Sequence, residues 1–319
     1  MTRVKSILLF RLGGLGDLLV GLPAVQLLRR AFPQAKIHLV GRRDYGALLR
    51  EGGAVNEAFS ADDAAWTPLF GESGGLRDAG RARLAGYDLI LGWFQGRPQM
   101  PLLFSGSGSA PPERARSFHY DPDSGLAVSR YFYERTAEFL RSLDASTSPF
   151  ESYCRLYLPG DEPDANHSSR EAALSFTVVH PGSGSAAKCW PLGRFLSIMK
   201  TMASRGGGGI LVTGEAEERL EAELRPVVFP PKWGWLRRPG LLDLARRLRP
   251  GVRYLGNDSG ITHLAAARGA DVVAVFRKEF KAAWAPYGRS FVVSAADVAD
   301  IPEERVLAAV ERRLGGPAG

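Results

Sequence analysis

Cysteine is nearly absent from this chain. Cys154 and Cys189 are the only two in 319 residues, they stand far apart, and neither has a metal-ligand spacing. A disulfide framework and a Cys/His metal site are excluded as organising features, and two free, reduced thiols are expected. Long apolar runs are missing as well: nothing approaches the ~18 residues that a membrane span needs. The early run Ile7-Leu8-Leu9-Phe10 meets Arg11 and then Asp17, too soon for a secretory signal. Any contact with a membrane is therefore expected at its surface. Lys and Arg are scattered, with neither a basic tail nor an RNP-like aromatic signature, so nucleic acid is not the expected partner. No short repeat emerges.

What is present is an ordinary globular composition, 45% hydrophobic and 24% charged, on a chain long enough for two domains. The formal net charge of +7 favours acidic partners such as phosphorylated lipid, sugar phosphates or an anionic membrane face, and equally aids solubility. Strand-like runs alternate with helix-like stretches, the βα rhythm of parallel sheets. Strands are predicted at Ser6–Leu12, Lys36–Val40 and Tyr87–Leu91, with helices at Asp17–Ala31 and Val128–Leu143. Pro23 either kinks the first helix or marks its true first turn. Phe94–Pro112 reads as an irregular Gly/Ser/Pro loop, and a linker is placed at Leu158–Ser169. The rhythm then restarts. Strands are predicted at Phe176–Val179, Ile210–Val212, Val252–Leu255 and Val272–Phe276, and helices at Pro191–Ala203, Ala216–Leu224, Leu241–Leu248, Gly260–Arg268 and Glu303–Leu314.

Three loops carry chemistry. Gly256-Asn257-Asp258-Ser259-Gly260-Ile261-Thr262-His263 joins a strand to a helix that starts near Ser259. Such a loop turns backbone N–H groups and the positive helix end toward an anion, of which a diphosphate is the usual one. Asp258 either caps that helix or points into a site; Ser259 and Thr262 offer hydroxyls; His263 faces either a cleft or the core. The loop His180-Pro181-Gly182-Ser183-Gly184-Ser185-Ala186-Ala187-Lys188 also follows a strand. It is P-loop-like in physics, with Lys188 as a mobile phosphate partner, but lacks the G-x-x-x-x-G-K-[ST] spacing. Two such loops in one half of the chain suggest a nucleotide-diphosphate binder.

Arg11-Leu12-Gly13-Gly14-Leu15-Gly16-Asp17 follows the first strand. Gly14 and Gly16 begin a G-x-G-x-x-G that Leu19 breaks, which argues against a dinucleotide oxidoreductase. Asp17 reads as a helix cap or as a general base. Glu215, Glu217 and Glu218 follow a strand end; Glu215 offers a ribose acceptor, and acid enrichment in a first helical turn is the plainer reading. Asp121-Pro122-Asp123 reads as a surface turn, not a metal site.

In order, the segment Arg11–Asp17 with Pro23-Ala24, His180–Ser185 with Lys188, Trp190-Pro191 and Arg194-Phe195, and Gly256–Gly260 with Thr262-His263-Leu264-Ala265-Ala266 resemble glycosyltransferase family 9, the lipopolysaccharide heptosyltransferases. The resemblance implies an α/β GT-B fold, two Rossmann-like domains facing across a cleft. Residues 1–160 would hold the acceptor, an anionic lipid A–inner core glycolipid, beside Gly13, Gly14 and Gly16. Residues 161–319 would hold the nucleotide-diphosphate sugar, ADP-heptose, with the last helix free to return to the first domain. Donor contacts would come from Ser183, Gly184, Ser185, Lys188, Glu215, Asn257, Asp258, Ser259, Gly260 and His263. Transfer would be inverting, with Asp17 as base and without metal or cofactor, in a cytoplasmic protein peripheral to the inner face of the membrane.

Two segments depart from the family. Gly-Pro-Thr-Asp-Pro is replaced by Arg277-Lys278-Glu279-Phe280-Lys281, read as a loop beside the expected donor site, and Val228–Arg238 reads as a lid, an adenine-side wall or a surface insertion. A non-catalytic nucleotide-sugar binding module is the alternative that the first departure supports.

Overall fold

The computed structural model describes residues 4–66, 83–94, 115–150, 154–161 and 176–315. The chain divides into two compact units, Met1–Pro159 and Gly160–Gly319. The loop expected at 94–112 lies, after its first residue, outside the described residues, as does most of the linker expected at 158–169.

The first unit holds a parallel sheet of β1 (Ser6–Phe10), β2 (Lys36–Gly41), β3 (Glu57–Ser60), β4 (Leu89–Phe94) and β5 (Ala115–His119), in the order β3-β2-β1-β4-β5. Ile7 to Phe10 are fully buried, as an unbroken apolar run at the centre of a parallel sheet should be. Its helices are α1 (Leu15–Val20), α2 (Leu22–Ala31), α3 (Arg43–Glu51) and α4 (Val128–Ser142). The helix expected over 17–31 is therefore two. Gly21 ends the first by donating to Leu18 O and caps the second, and Pro23 stands in the first turn of α2. Its missing N–H costs nothing there, because first-turn amides have no intrahelical acceptor.

The second unit holds β6 (Phe176–His180), β7 (Gly208–Thr213), β8 (Trp233–Arg237), β9 (Arg253–Asn257), β10 (Asp271–Arg277) and β11 (Ser290–Ala295), in the order β11-β10-β9-β6-β7-β8, again parallel. Its helices are α5 (Leu192–Ser204), α6 (Glu218–Leu224), α7 (Leu241–Arg247), α8 (Gly260–Ala267), α9 (Lys278–Trp284) and α10 (Glu303–Gly315). One core packs Val179, Leu211, Leu255, Val273 and Val275 against Phe195, Ile198 and Met199 of α5 and Val306 and Val310 of α10. The last helix thus packs on β10, β11 and α5 of its own unit.

Two segments differ from their sequence readings. Residues 228–238 are not an insertion: they carry β8, the edge strand beside β7, and Phe229 and Trp235 pack against the core. Residues 277–281 are not a loop but the end of β10 and the start of α9. No described helix is long and apolar enough to cross a membrane.

In both sheets the first strand sits inside, and the chain builds outward on one side and then the other. The order reverses between β1 and β4 and between β6 and β9. Loops leaving the carboxyl ends of strands diverge at such points, leaving a crevice for a ligand. Segment 11–17 follows β1, segment 181–188 follows β6 and segment 258–263 follows β9, so every chemistry-bearing loop lies at a switch point.

The edge strand β8 is clasped by one carboxylate. Glu221 of α6 is 2% exposed and accepts from Arg238 Nε at 2.9 Å, Arg237 Nη2 at 2.8 Å and Thr213 Oγ1 at 3.2 Å. Hydrogen bonds from Arg238 and Arg237 hold its carboxyl at about 2, against an ordinary 4.5. Because the folded-state value is depressed, the stabilisation is complete above the ordinary value and is lost as pH falls toward 2. Glu221→Gln is expected to lower the melting temperature at pH 7, with the gap from wild type closing as pH drops from 4.5 to 2 in thermal melts.

Candidate functional site

In the second unit the loops after β6 and β9 are tied by one side chain. Asn257 is fully buried; its Oδ1 accepts from Trp190 N at 3.0 Å and its Nδ2 donates to Pro181 O at 2.7 Å. Ser183 adds a third tie, its hydroxyl donating to Asp258 O at 2.6 Å. Asn257, expected among the donor contacts, is thus occupied at both ends in holding the loops. Gly184 and Ser185 are exposed on the same loop.

Strand β9 runs to Asn257, and the cap of α8 is Ser259, whose hydroxyl accepts from Thr262 N. Asp258 is released from capping. Its Oδ2 lies 2.8 Å from Lys188 Nζ, and the ring of Phe280 lies 4.9 Å from the same nitrogen. The mobile cation expected at Lys188 is therefore held, although its side chain remains 33% exposed. By helix geometry the amides of Gly260 and Ile261 have no intrahelical acceptor, so they and the positive end of α8 favour an anion there.

Beneath the loops runs a buried polar network. His180 Nδ1 is 3.5 Å from Ser259 Oγ and its Nε2 is 3.8 Å from Glu217 Oε2. Ser259 Oγ lies 3.2 Å from Thr262 Oγ1, which donates to Asn257 O and is 3.0 Å from Tyr254 OH. Burial raises the Glu217 carboxyl, but His180 and the amide of Gly214, 2.5 Å away, outweigh it and hold it below the ordinary value. Burial, with the Glu217 charge adding to it, pushes the Tyr254 hydroxyl up against the opposing hydrogen bonds of Thr262 and Ser259. A Cβ on Gly182 would overlap the Glu217 side chain, so only glycine lets the loop lie on that carboxylate. Of the acidic residues after β7, Glu215 is exposed and Glu217 turns inward. His263 is also buried, within α8.

In the first unit the loop after β1 is built round Arg11 and Asp17. Arg11 is 4% exposed and donates from Nε to Asp17 O at 2.6 Å and from Nη1 to Trp93 O at 2.7 Å. Its guanidinium lies 5.0 Å from the Phe132 ring centre. Burial pushes Arg11 down to about 10, with Asp17 opposing the shift. The Asp17 carboxylate accepts from Gly14 N at 2.7 Å through Oδ2 and lies 3.9 Å from Arg11 Nη2 through Oδ1. Gly13 adopts φ 105°, and a Cβ there would fall 2.5 Å from Asp17 Oδ2. Gly14 and Gly16 are half-buried beside it. Asp17 therefore caps α1 while a part of its side chain stays accessible, 28% exposed.

Asp121 accepts from Asp123 N at 3.0 Å in a surface turn. Among the described residues, no group of three or more His, Cys, Asp or Glu side chains is placed to hold a metal ion. The partners that sequence reasoning missed are Arg11 as the brace of Asp17, Glu217 as the inward acid, and Phe280. A charge directly after an apolar strand was a signal for Arg11; nothing local marked Phe280.

Two parallel α/β units, each with its loops at the carboxyl ends of the central strands, have the GT-B fold. A model of glycosyltransferase family 9 (heptosyltransferase) matches residues 114–310, more than half of the chain, and the chain belongs to that family. Similar solved structures include a family 9 glycosyltransferase from Veillonella parvula DSM 2008, with a TM-score of 0.72 at 16% identity over 98% of each chain. Another is E. coli ADP-heptose lipopolysaccharide heptosyltransferase II, with a TM-score of 0.68 at 16% identity over 98% of this chain and 100% of that one. A third is E. coli heptosyltransferase WaaC with ADP, with a TM-score of 0.66 at 17% identity over 97% and 99%. At these identities the likeness shows the fold. No curated protein matches the sequence.

Asn257→Ala removes both ties and leaves the Trp190 amide and the Pro181 carbonyl buried without that partner. A loss of about 2–4 kcal/mol of unfolding free energy is expected, read by urea denaturation.

Proposed function

We propose that the protein is an inverting heptosyltransferase that moves a heptose from ADP-heptose to a hydroxyl of an anionic, lipopolysaccharide inner-core type glycolipid. The observation that carries the donor half is Lys188 held at the start of α8 between loops 181–188 and 258–263. A fixed cation, helix-end amides and small residues suit a diphosphate, and the E. coli relative solved with ADP supports the nucleotide.

Residues 161–319 bind the donor. Lys188 and the amides of segment 258–260 meet its diphosphate, together with Gly184 and Ser185, and with Ser183 once its hydroxyl turns from the Asp258 carbonyl. Glu215 accepts from the ribose at the mouth of β7. Asn257 acts by holding the two loops in place, and His263 stays buried within α8. Residues 1–160 bind the acceptor along Gly13, Gly14 and Gly16. Asp17 takes the proton of the acceptor hydroxyl as that oxygen bonds to the anomeric carbon. The carbon–oxygen bond to the β-phosphate breaks on the opposite face, its electron pair leaves with ADP, and the configuration inverts. Charge grows on the leaving diphosphate, where preformed donors lower the barrier because they need no reorganisation. No metal is required in this scheme. The net charge of +7 suits an anionic acceptor at the inner membrane face.

A thermal-shift screen against ADP-, UDP-, GDP- and dTDP-sugars tests the donor: ADP-heptose should stabilise most, because a ligand that binds only the native state raises the melting temperature. Stabilisation by a different nucleotide alone would overturn the assignment, and binding without transfer or hydrolysis across an acceptor panel would favour a nucleotide-sugar binding module. Asp17→Asn should cut kcat by about 10²–10⁴-fold and leave donor affinity intact. Lys188→Ala should cut turnover by about 100-fold and weaken donor binding. Transfer should continue in excess EDTA, and its loss there would refute the metal-free scheme.

A further inference from the structure

Lys188 is a flexible point charge, and a ligand that has to immobilise it loses side-chain entropy in doing so. Here two groups restrain the ammonium before any anion arrives: Asp258 Oδ2 at 2.8 Å and the Phe280 ring at 4.9 Å. Phe280 reaches it because strand β10 lies beside β9. The amide of Asp258 donates to Val275 O at 3.1 Å, which brings the exit of β9 against β10, and α9 begins directly after β10. Helix α9 buries none of its residues. A large aromatic on a helix that adds nothing fully buried is poorly explained by core packing. Its face toward an ammonium is explained by attraction to the ring quadrupole, which strengthens where water is partly excluded.

We propose that Phe280 is a positioning residue for diphosphate binding, its ring holding the Lys188 ammonium in place together with Asp258. The inference rests on the donor-site reading above. It also gives the family-divergent segment 277–281 a role: α9 supplies from outside the loop a restraint on the cation that the loop itself lacks. Asp258 alone would hold Lys188 by a contact that an incoming anion weakens by competing for the same charge. The ring carries no net charge and competes less, so it keeps the ammonium in place while the diphosphate binds.

Calorimetric titration with inorganic pyrophosphate and with ADP tests this on the full chain, using Phe280→Leu, Phe280→Tyr, Lys188→Ala and the Phe280→Leu/Lys188→Ala pair. Phe280→Leu keeps apolar bulk and removes the ring; it should weaken both probes by about threefold to tenfold, while Phe280→Tyr restores binding to within about twofold of wild type. In the Lys188→Ala background Phe280→Leu should add nothing, because the ring acts through the ammonium. Wild-type affinity in Phe280→Leu, equal weakening by Leu and Tyr, or an undiminished effect without Lys188 would each overturn the inference. If Lys188→Ala weakens pyrophosphate binding and Phe280→Leu does not, only the role of Phe280 falls. If wild type binds neither probe, or Lys188→Ala changes nothing, the donor-site reading falls with it.

Discussion

Asn257 is the constraint on which the second unit's site depends. It is fully buried at the end of β9, and its amide spans to the chain at Pro181 and again at Trp190. A Gly/Ser-rich loop such as 181–188 has high conformational entropy and no shape of its own. Pinned at both ends by one amide and in the middle by the Ser183–Asp258 bond, it takes a fixed course beside α8. The position of Lys188 follows from that course, and so does the meeting of Lys188, Asp258 and Phe280.

The two units handle carboxylates in a common way. Asp17 takes a backbone N–H from Gly14 and faces Arg11; Glu217 takes one from Gly214 and faces His180. In both, a glycine lies against the carboxylate where a Cβ would collide, Gly13 in one and Gly182 in the other. A carboxylate removed from water needs hydrogen-bond donors, and backbone amides supply donors that cannot swing away. The difference lies in access. Asp17 keeps 28% of its side chain exposed, whereas Glu217 keeps 9% and Asp258 8%.

Much of the fold was legible. Central strands such as β1, β6 and β10 are short apolar runs bounded by turn or charged residues, and both parallel sheets follow from the alternation with helices. Strand β8 was not legible. Trp-Gly-Trp-Leu-Arg after two prolines has no strong strand signal, and it is held by pairing with β7 and by the Glu221 clasp, both non-local. Helix α9 was read as a loop because charged residues crowd it; it packs on β10 and β11, whose positions no local pattern reports. For the site, the three loops were found because glycine and small polar residues after a strand carry a local signature. The partners inside them were not, since His180, Glu217 and Tyr254 meet only through the sheet.

By itself the sequence determined the order of the strand–loop–helix motifs, the parallel α/β class and the family, because those rest on local spacing and on apolar runs that any fold of this chain must bury. Tertiary structure decided which groups inside the motifs face one another. Glu217 rather than Glu215 turns inward, Asn257 becomes a tie, Asp258 leaves the helix cap to Ser259 and pairs with Lys188, and the Phe280 ring lies against the Lys188 ammonium. These contacts join groups far apart along the chain; the Asn257 ties to backbone alone span 67 and 76 residues. Their geometry is set by strand order and register, which bring the exits of β6, β9 and β10 side by side, and no local propensity encodes that adjacency.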